Sequence, residues 1–192
     1  YSLKSDGAVD WGSNTLATAA ANKYKVVATP TFNINPGNVT IPRSGDPAKG
    51  KTVTLFVDGN AYIAGDITYE GGYTANNVTK FTLVVRGSLY IDKAVKRLDG
   101  LYIVQPDVSQ PNVVTADNGT VWTCSTATSG GPYDNEISRD CRGESLVVNG
   151  ALIAKHIYMY RLTGDVGNNT AAESFNYSPE VLIGGTNFFG TQ

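Results

Sequence analysis

Four carboxylates, Asp134, Glu136, Asp140 and Glu144, crowd in and beside the stretch bounded by Cys124 and Cys141, the two cysteines of the 192-residue chain. Several oxygen ligands on one loop are what calcium requires. No Asp-x-Asp-x-Asp-Gly order is present, so the cluster reads as a solvated acidic loop, and Asp165 reads as part of a Gly-Asn turn. One His and two Cys fall short of an ordinary structural zinc site without carboxylate help. No metal and no cofactor is therefore expected. Tyr158 and Tyr160 have the period of a strand, which puts both rings on one face. Together with Tyr62, Tyr69, Tyr90 and Tyr102 they are a candidate sugar-binding platform, set against the plainer reading of half-buried packing. His156 has no Ser or Cys nucleophile in a triad-like setting and reads as a surface or packing residue. Paired carboxylates of the kind that cleave glycosidic bonds do not stand out on any strand.

Cys124 and Cys141 enclose a polar loop rich in Ser, Thr, Gly and acids, and a disulfide is expected between them. Closing such a loop restricts the unfolded chain by roughly 3 kcal/mol on the chain-entropy model. The pair, with few Met and His residues, points to an exported protein at the cell surface or outside the cell. The opening Tyr1-Ser2-Leu3-Lys4 lacks a signal-peptide core, so an exported protein would be in mature or trimmed form.

These residues sit in a framework set by three copies of one pattern: Val57-Asp58-Gly59-Asn60-Ala61-Tyr62-Ile63, Val85-Arg86-Gly87-Ser88-Leu89-Tyr90-Ile91 and Val148-Asn149-Gly150-Ala151-Leu152-Ile153-Ala154. Leu98-Asp99-Gly100-Leu101-Tyr102-Ile103 is a shorter echo. Strand, polar residue, Gly and strand again predicts a tight bend repeated through a stack, with Gly59, Gly87 and Gly150 at equivalent corners. Gly150 follows Gly87 at over twice the interval from Gly59 to Gly87, as insertions on one side of a β-solenoid produce. A β-sandwich is the alternative. The continuous apolar runs Leu83-Val84-Val85 and Leu146-Val147-Val148 favour strands covered on both sides.

The fold class is thus all-β: a β-solenoid with short capping helices. Residues 1–192 form one domain, with an N-terminal cap over 1–23, a strand stack with inserted loops over 24–162, and a C-terminal cap and tail over 163–192. Ser13 to Asn22, rich in Ala, predicts a short helix over the first strands. Thr170-Ala171-Ala172-Glu173 has the form of a capping box and predicts one or two helical turns before Pro179. Val181, Leu182, Ile183, Phe188 and Phe189 make an apolar, glycine-fenced stretch expected to be an edge strand or an assembly contact. The net charge of −2, without a basic stripe, gives nucleic-acid binding no electrostatic basis. No apolar run is long enough for a membrane-spanning helix. Asn38, Asn77, Asn118, Asn168 and Asn176 begin glycosylation sequons, which an Asn- and Thr-rich chain also produces by chance.

Val57 to Ile67 resembles turns of bactofilin-type polymer-forming β-helices, and Leu98 to Gln105 with Leu146 to Ile153 resembles exported bacterial surface proteins. The likeness spans Val53 to Leu162 with gaps. Long loops and the cysteine pair depart from compact cytoskeletal bactofilins and favour an extracellular setting. The resemblance implies assembly or display and no catalytic residues. The expectation is a non-enzymatic extracellular structural or cell-surface protein, a self-associating subunit of a surface assembly or filament. The alternative is a carbohydrate-binding adhesin module with surface glycans as partners. A polysaccharide-cleaving enzyme ranks third.

Overall fold

A computed structural model describes residues 4–5, 10–11, 18–20, 23–34, 37–43, 50–72, 78–108, 118–125, 141, 143–161 and 171–178. Their strands are β1 (Lys4–Ser5), β2 (Asp10–Trp11), β3 (Lys23–Ile34), β4 (Val39–Ile41), β5 (Thr52–Ile63), β6 (Ile67–Tyr69) and β7 (Lys80–Arg86). They continue with β8 (Leu89–Asp92), β9 (Arg97–Gln105), β10 (Thr120–Ser125), β11 (Leu146–Ala154), β12 (His156–Tyr158) and β13 (Glu173–Asn176). Every described pairing is parallel. A β-sandwich of antiparallel hairpins would not give this pattern; it is consistent with a β-helix-like fold.

The pairings fall into three columns because β3, β5, β9 and β11 each pass through two of them. The first column holds β1, the opening of β3 and of β5, then β7 and the closing halves of β9 and β11. The second holds β2, the ends of β3 and β5, then β8, β10 and β12. The third holds β4, β6, the beginnings of β9 and β11, and β13. Alternation along each strand explains the register. In β5, Val53, Leu55, Val57, Ala61 and Ile63 are buried while their neighbours are half-buried or exposed. Leu55 stacks beside Leu83, and Leu83 beside Tyr102, so residues distant in sequence share one apolar core. Each fully buried Leu, Ile or Val contributes roughly 1.5–3 kcal/mol by leaving water.

The corner glycines form two columns rather than the single set of equivalent positions expected. Gly59 and Gly87 lie where the chain leaves the first column for the second. A Cβ on Gly87, whose φ is +153°, would stand 2.6 Å from the Gly59 carbonyl oxygen. Gly119 extends this line, its N–H donating to the Gly87 carbonyl at 2.9 Å. Gly150 instead pairs with Gly100 at the passage from the third column to the first. The sequence copies match because both corners need the same backbone, a positive φ with the adjacent turn packed directly against it.

Two predicted helices are also revised. Thr18 is helical but Ala19 and Ala20 are not, and β3 begins at Lys23, so the helix predicted through Asn22 ends earlier. Residues 12–17 lie outside the described residues. Glu173 to Asn176 is not a helical turn but strand β13, paired with Leu146–Asn149 of β11. Tertiary pairing overrides the local capping signal there, and Glu173 spends one carboxylate oxygen on Thr123 and on the Arg161 N–H rather than on a helix N-terminus.

Candidate functional site

The second column carries an aromatic file. In-register pairing places Tyr62 beside Tyr90, Tyr90 beside Trp122 and Trp122 beside Tyr158. Alternation puts these rings opposite the core residues Ala61, Leu89 and Val121. Trp122 stacks on Tyr158 with ring centroids 4.5 Å apart and on Tyr160 at 5.6 Å, the planes inclined by 29° and 12°. Tyr158 and Tyr160 are 5.8 Å apart, and His156 follows at 6.4 Å from Tyr158. At the other end the Tyr62 hydroxyl donates to Asp92 Oδ2.

This geometry divides the six tyrosines of the sugar-platform reading. Tyr62, Tyr90 and Tyr158 share the file, and Tyr160 joins its end. Tyr102 does not: it is fully buried, edge-on to Phe81 at 6.1 Å, with its hydroxyl on the Asp99 carbonyl at 3.1 Å. Tyr69 ends in the third column, where its hydroxyl accepts the Phe81 N–H at 2.7 Å. Burial raises both phenols well above their ordinary value, assisted by Asp99. Trp122 was not singled out by sequence reasoning. The signal was the alternation in Thr120-Val121-Trp122-Thr123, which sets Trp122 on the face opposite Val121. Within the file the rings of Trp122, Tyr158 and Tyr160 lie nearly parallel and pack on one another.

Beside the file, the turn from the second column to the third is closed from within by Arg161, which is 3% exposed. Its Nε donates to the Thr123 carbonyl at 2.9 Å, one terminal nitrogen to Val95 at 2.6 Å and Ser145 at 2.8 Å, and the other to Asp92 at 2.9 Å. Burial pushes the guanidinium down to about 10, opposed by Glu173, Asp92 and Asp66. It remains protonated at neutral pH. Cys124 and Cys141, both fully buried, are joined by a disulfide, with Cα atoms 6.3 Å apart. The bond is in keeping with an oxidising environment.

A second polar file runs along the third column. Asp99, 2% exposed, takes both Nε and a terminal nitrogen of Arg97 at 2.8 and 2.9 Å, the Tyr69 N–H at 2.9 Å and the Asn149 amide at 2.8 Å. Asn149 in turn accepts from Asn176 at 3.0 Å. Both oxygens of this buried carboxylate are thus hydrogen-bonded.

No protein-family model, no curated protein and no solved structure matches the chain. The site residues therefore rest on their own geometry. Among the described residues no cluster of three or more His, Cys, Asp and Glu is placed to hold a metal ion. Glu144 forms an ion pair with Lys96. Asp134, Glu136, Asp140 and Asp165 lie outside the described residues, as do Val181, Leu182, Ile183, Phe188 and Phe189. No helix among the described residues is long and apolar enough to cross a membrane.

Proposed function

We propose that this chain is a non-enzymatic β-solenoid that works as a structural, self-associating subunit of a cell-surface or extracellular assembly. The observation that carries this reading is the apolar character of the last turn. Phe32, Ala61, Leu89 and Val121 occupy one core register and are essentially buried, yet Ile157, next in that register, is 36% exposed. Ile67, Leu98 and Val148 are buried in another, and Phe175, which follows them, is 44% exposed. Ile153, Met159 and Tyr177 are exposed on the same turn. Among the described residues the core thus ends in an apolar surface between strand edges, a combination that favours pairing with another chain. A head-to-tail contact that does not close on itself gives a filament. We assign Val181, Leu182, Ile183, Phe188 and Phe189 to the same contact.

Sedimentation velocity over a range of concentrations, with electron microscopy of the largest species, tests the proposal. Concentration-dependent oligomers that dissociate in Phe175→Lys, with the sheet's circular dichroism retained, are the expected result. A wild-type chain that stays monomeric at the highest concentration overturns it. Selective binding on a glycan array, lost in Tyr158→Ala and Tyr160→Ala, would replace it with the adhesin reading.

A further inference from the structure

Arg161 and the disulfide hold the same two strands of chain together. Thr123, whose carbonyl accepts from Arg161 Nε, immediately precedes Cys124; Ser145, whose carbonyl accepts from a terminal nitrogen, lies just past Cys141. The same guanidinium reaches back one turn to Asp92 and Val95, and its own backbone N–H donates to Glu173 of the next turn at 3.0 Å. One residue thus bonds the two ends of the cysteine loop to each other through its side chain, and reaches the turns on both sides through its side chain and its backbone. Four backbone carbonyls converge on a single planar fork, a geometry that a guanidinium satisfies and one ammonium does not.

We infer that Arg161 is a non-covalent latch that closes the base of the Cys124–Cys141 loop by itself, so that this corner keeps its geometry when the two cysteines are reduced. Two further bonds gather at the same corner: the Lys93 N–H donates to Ser125 at 2.9 Å, and the Tyr160 N–H to Thr123 Oγ1 at 3.1 Å. Neither bond involves a sulfur atom. The latch makes the disulfide a second lock on this corner.

Native-state hydrogen exchange at the Lys93, Leu146 and Tyr160 amides reads this corner directly. The chain with Cys124→Ala and Cys141→Ala is expected to exchange there within about threefold of the disulfide-bonded wild type. Adding Arg161→Met to it is expected to speed exchange about tenfold or more, and Arg161→Lys to behave like Arg161→Met. In the disulfide-bonded chain, Arg161→Met alone should have a smaller effect. Fast exchange in the cysteine-free chain with Arg161 intact overturns the latch, and so does a cysteine-free chain in which Arg161→Met changes nothing. If the combined variant does not fold, the cysteine-free chain decides alone: retained protection supports the latch and lost protection refutes it.

Discussion

At the scale of single residues, the corner glycines and the buried phenols make the sharpest demands. Gly150 has a φ of +146°, and a Cβ there would run into the Gly100 carbonyl oxygen. Gly150→Ala should lose about 1–3 kcal/mol from backbone strain before the clash is added. Gly71, with open space around its Cβ position and no such φ, should tolerate Ala with a change within about 0.5 kcal/mol. Urea midpoints of the two variants check the contrast. Tyr69 and Tyr102 supply a pH test. Their folded pKa values lie above the ordinary 10.0, so above that value the unfolded chain releases protons that the folded chain retains. Their contribution is therefore complete below about pH 10 and is lost as pH rises toward the folded values. Stability should fall steeply on the alkaline side, and Tyr102→Phe should flatten that fall. Tyrosinate absorbance that appears for all tyrosines before unfolding would contradict the assignment.

At the scale of elements, the strands were legible and their partners were not. The alternation in Val53-Thr54-Leu55-Phe56-Val57 gives β5 and its inward face directly. Leu83→Ala, in the middle of β7 with Leu55 and Tyr102 on either side, should lose about 2–5 kcal/mol through the cavity it leaves, measured by thermal or urea unfolding. Strand pattern also marked the repeated glycine bends, but a motif of seven residues reports a local backbone shape and not which corner of the turn it occupies. That is why the pattern groups Gly150 with Gly87 although Gly150 stacks on Gly100. The capping-box signal at Thr170 failed for a related reason: a helix start is a local preference of a fraction of a kcal/mol per residue, and β13 gains a whole strand of pairing with β11. Of the aromatic file, Tyr158 and Tyr160 could be read from their spacing. The alternation around Trp122 gives its face, but its contact with both could not be read, because it spans two strands separated by the cysteine loop. Arg161 gave no sequence signal, since nothing marks which arginine of a chain will be buried.

For the whole molecule, the proposed contact is apolar, and its response to solvent follows. Association through Ile157, Phe175 and Tyr177 should persist at high sodium chloride and strengthen in sulfate, because excluded salts favour burial of apolar surface. Sedimentation at several salt concentrations checks this; dissociation by moderate sodium chloride would point to a charged interface elsewhere.

The spacing between stacked residues has a consequence for how much foreign sequence the fold can carry. Asn60 and Ser88, bonded between adjacent turns, are 28 positions apart, whereas Asp99 and Asn149, also bonded between adjacent turns, are 50 apart. The ladder takes no account of the difference, and closing a flexible loop costs only about 0.6 kcal/mol for each doubling of its length. The exposed turn at Gly71 and Gly72 should therefore accept an inserted segment of about 20 residues while losing less than about 1 kcal/mol in urea unfolding. An insertion of the same length at Gly59, inside a stacked corner, should abolish folding. In this sense the ladder keeps its register by pairing and not by the number of residues between one rung and the next.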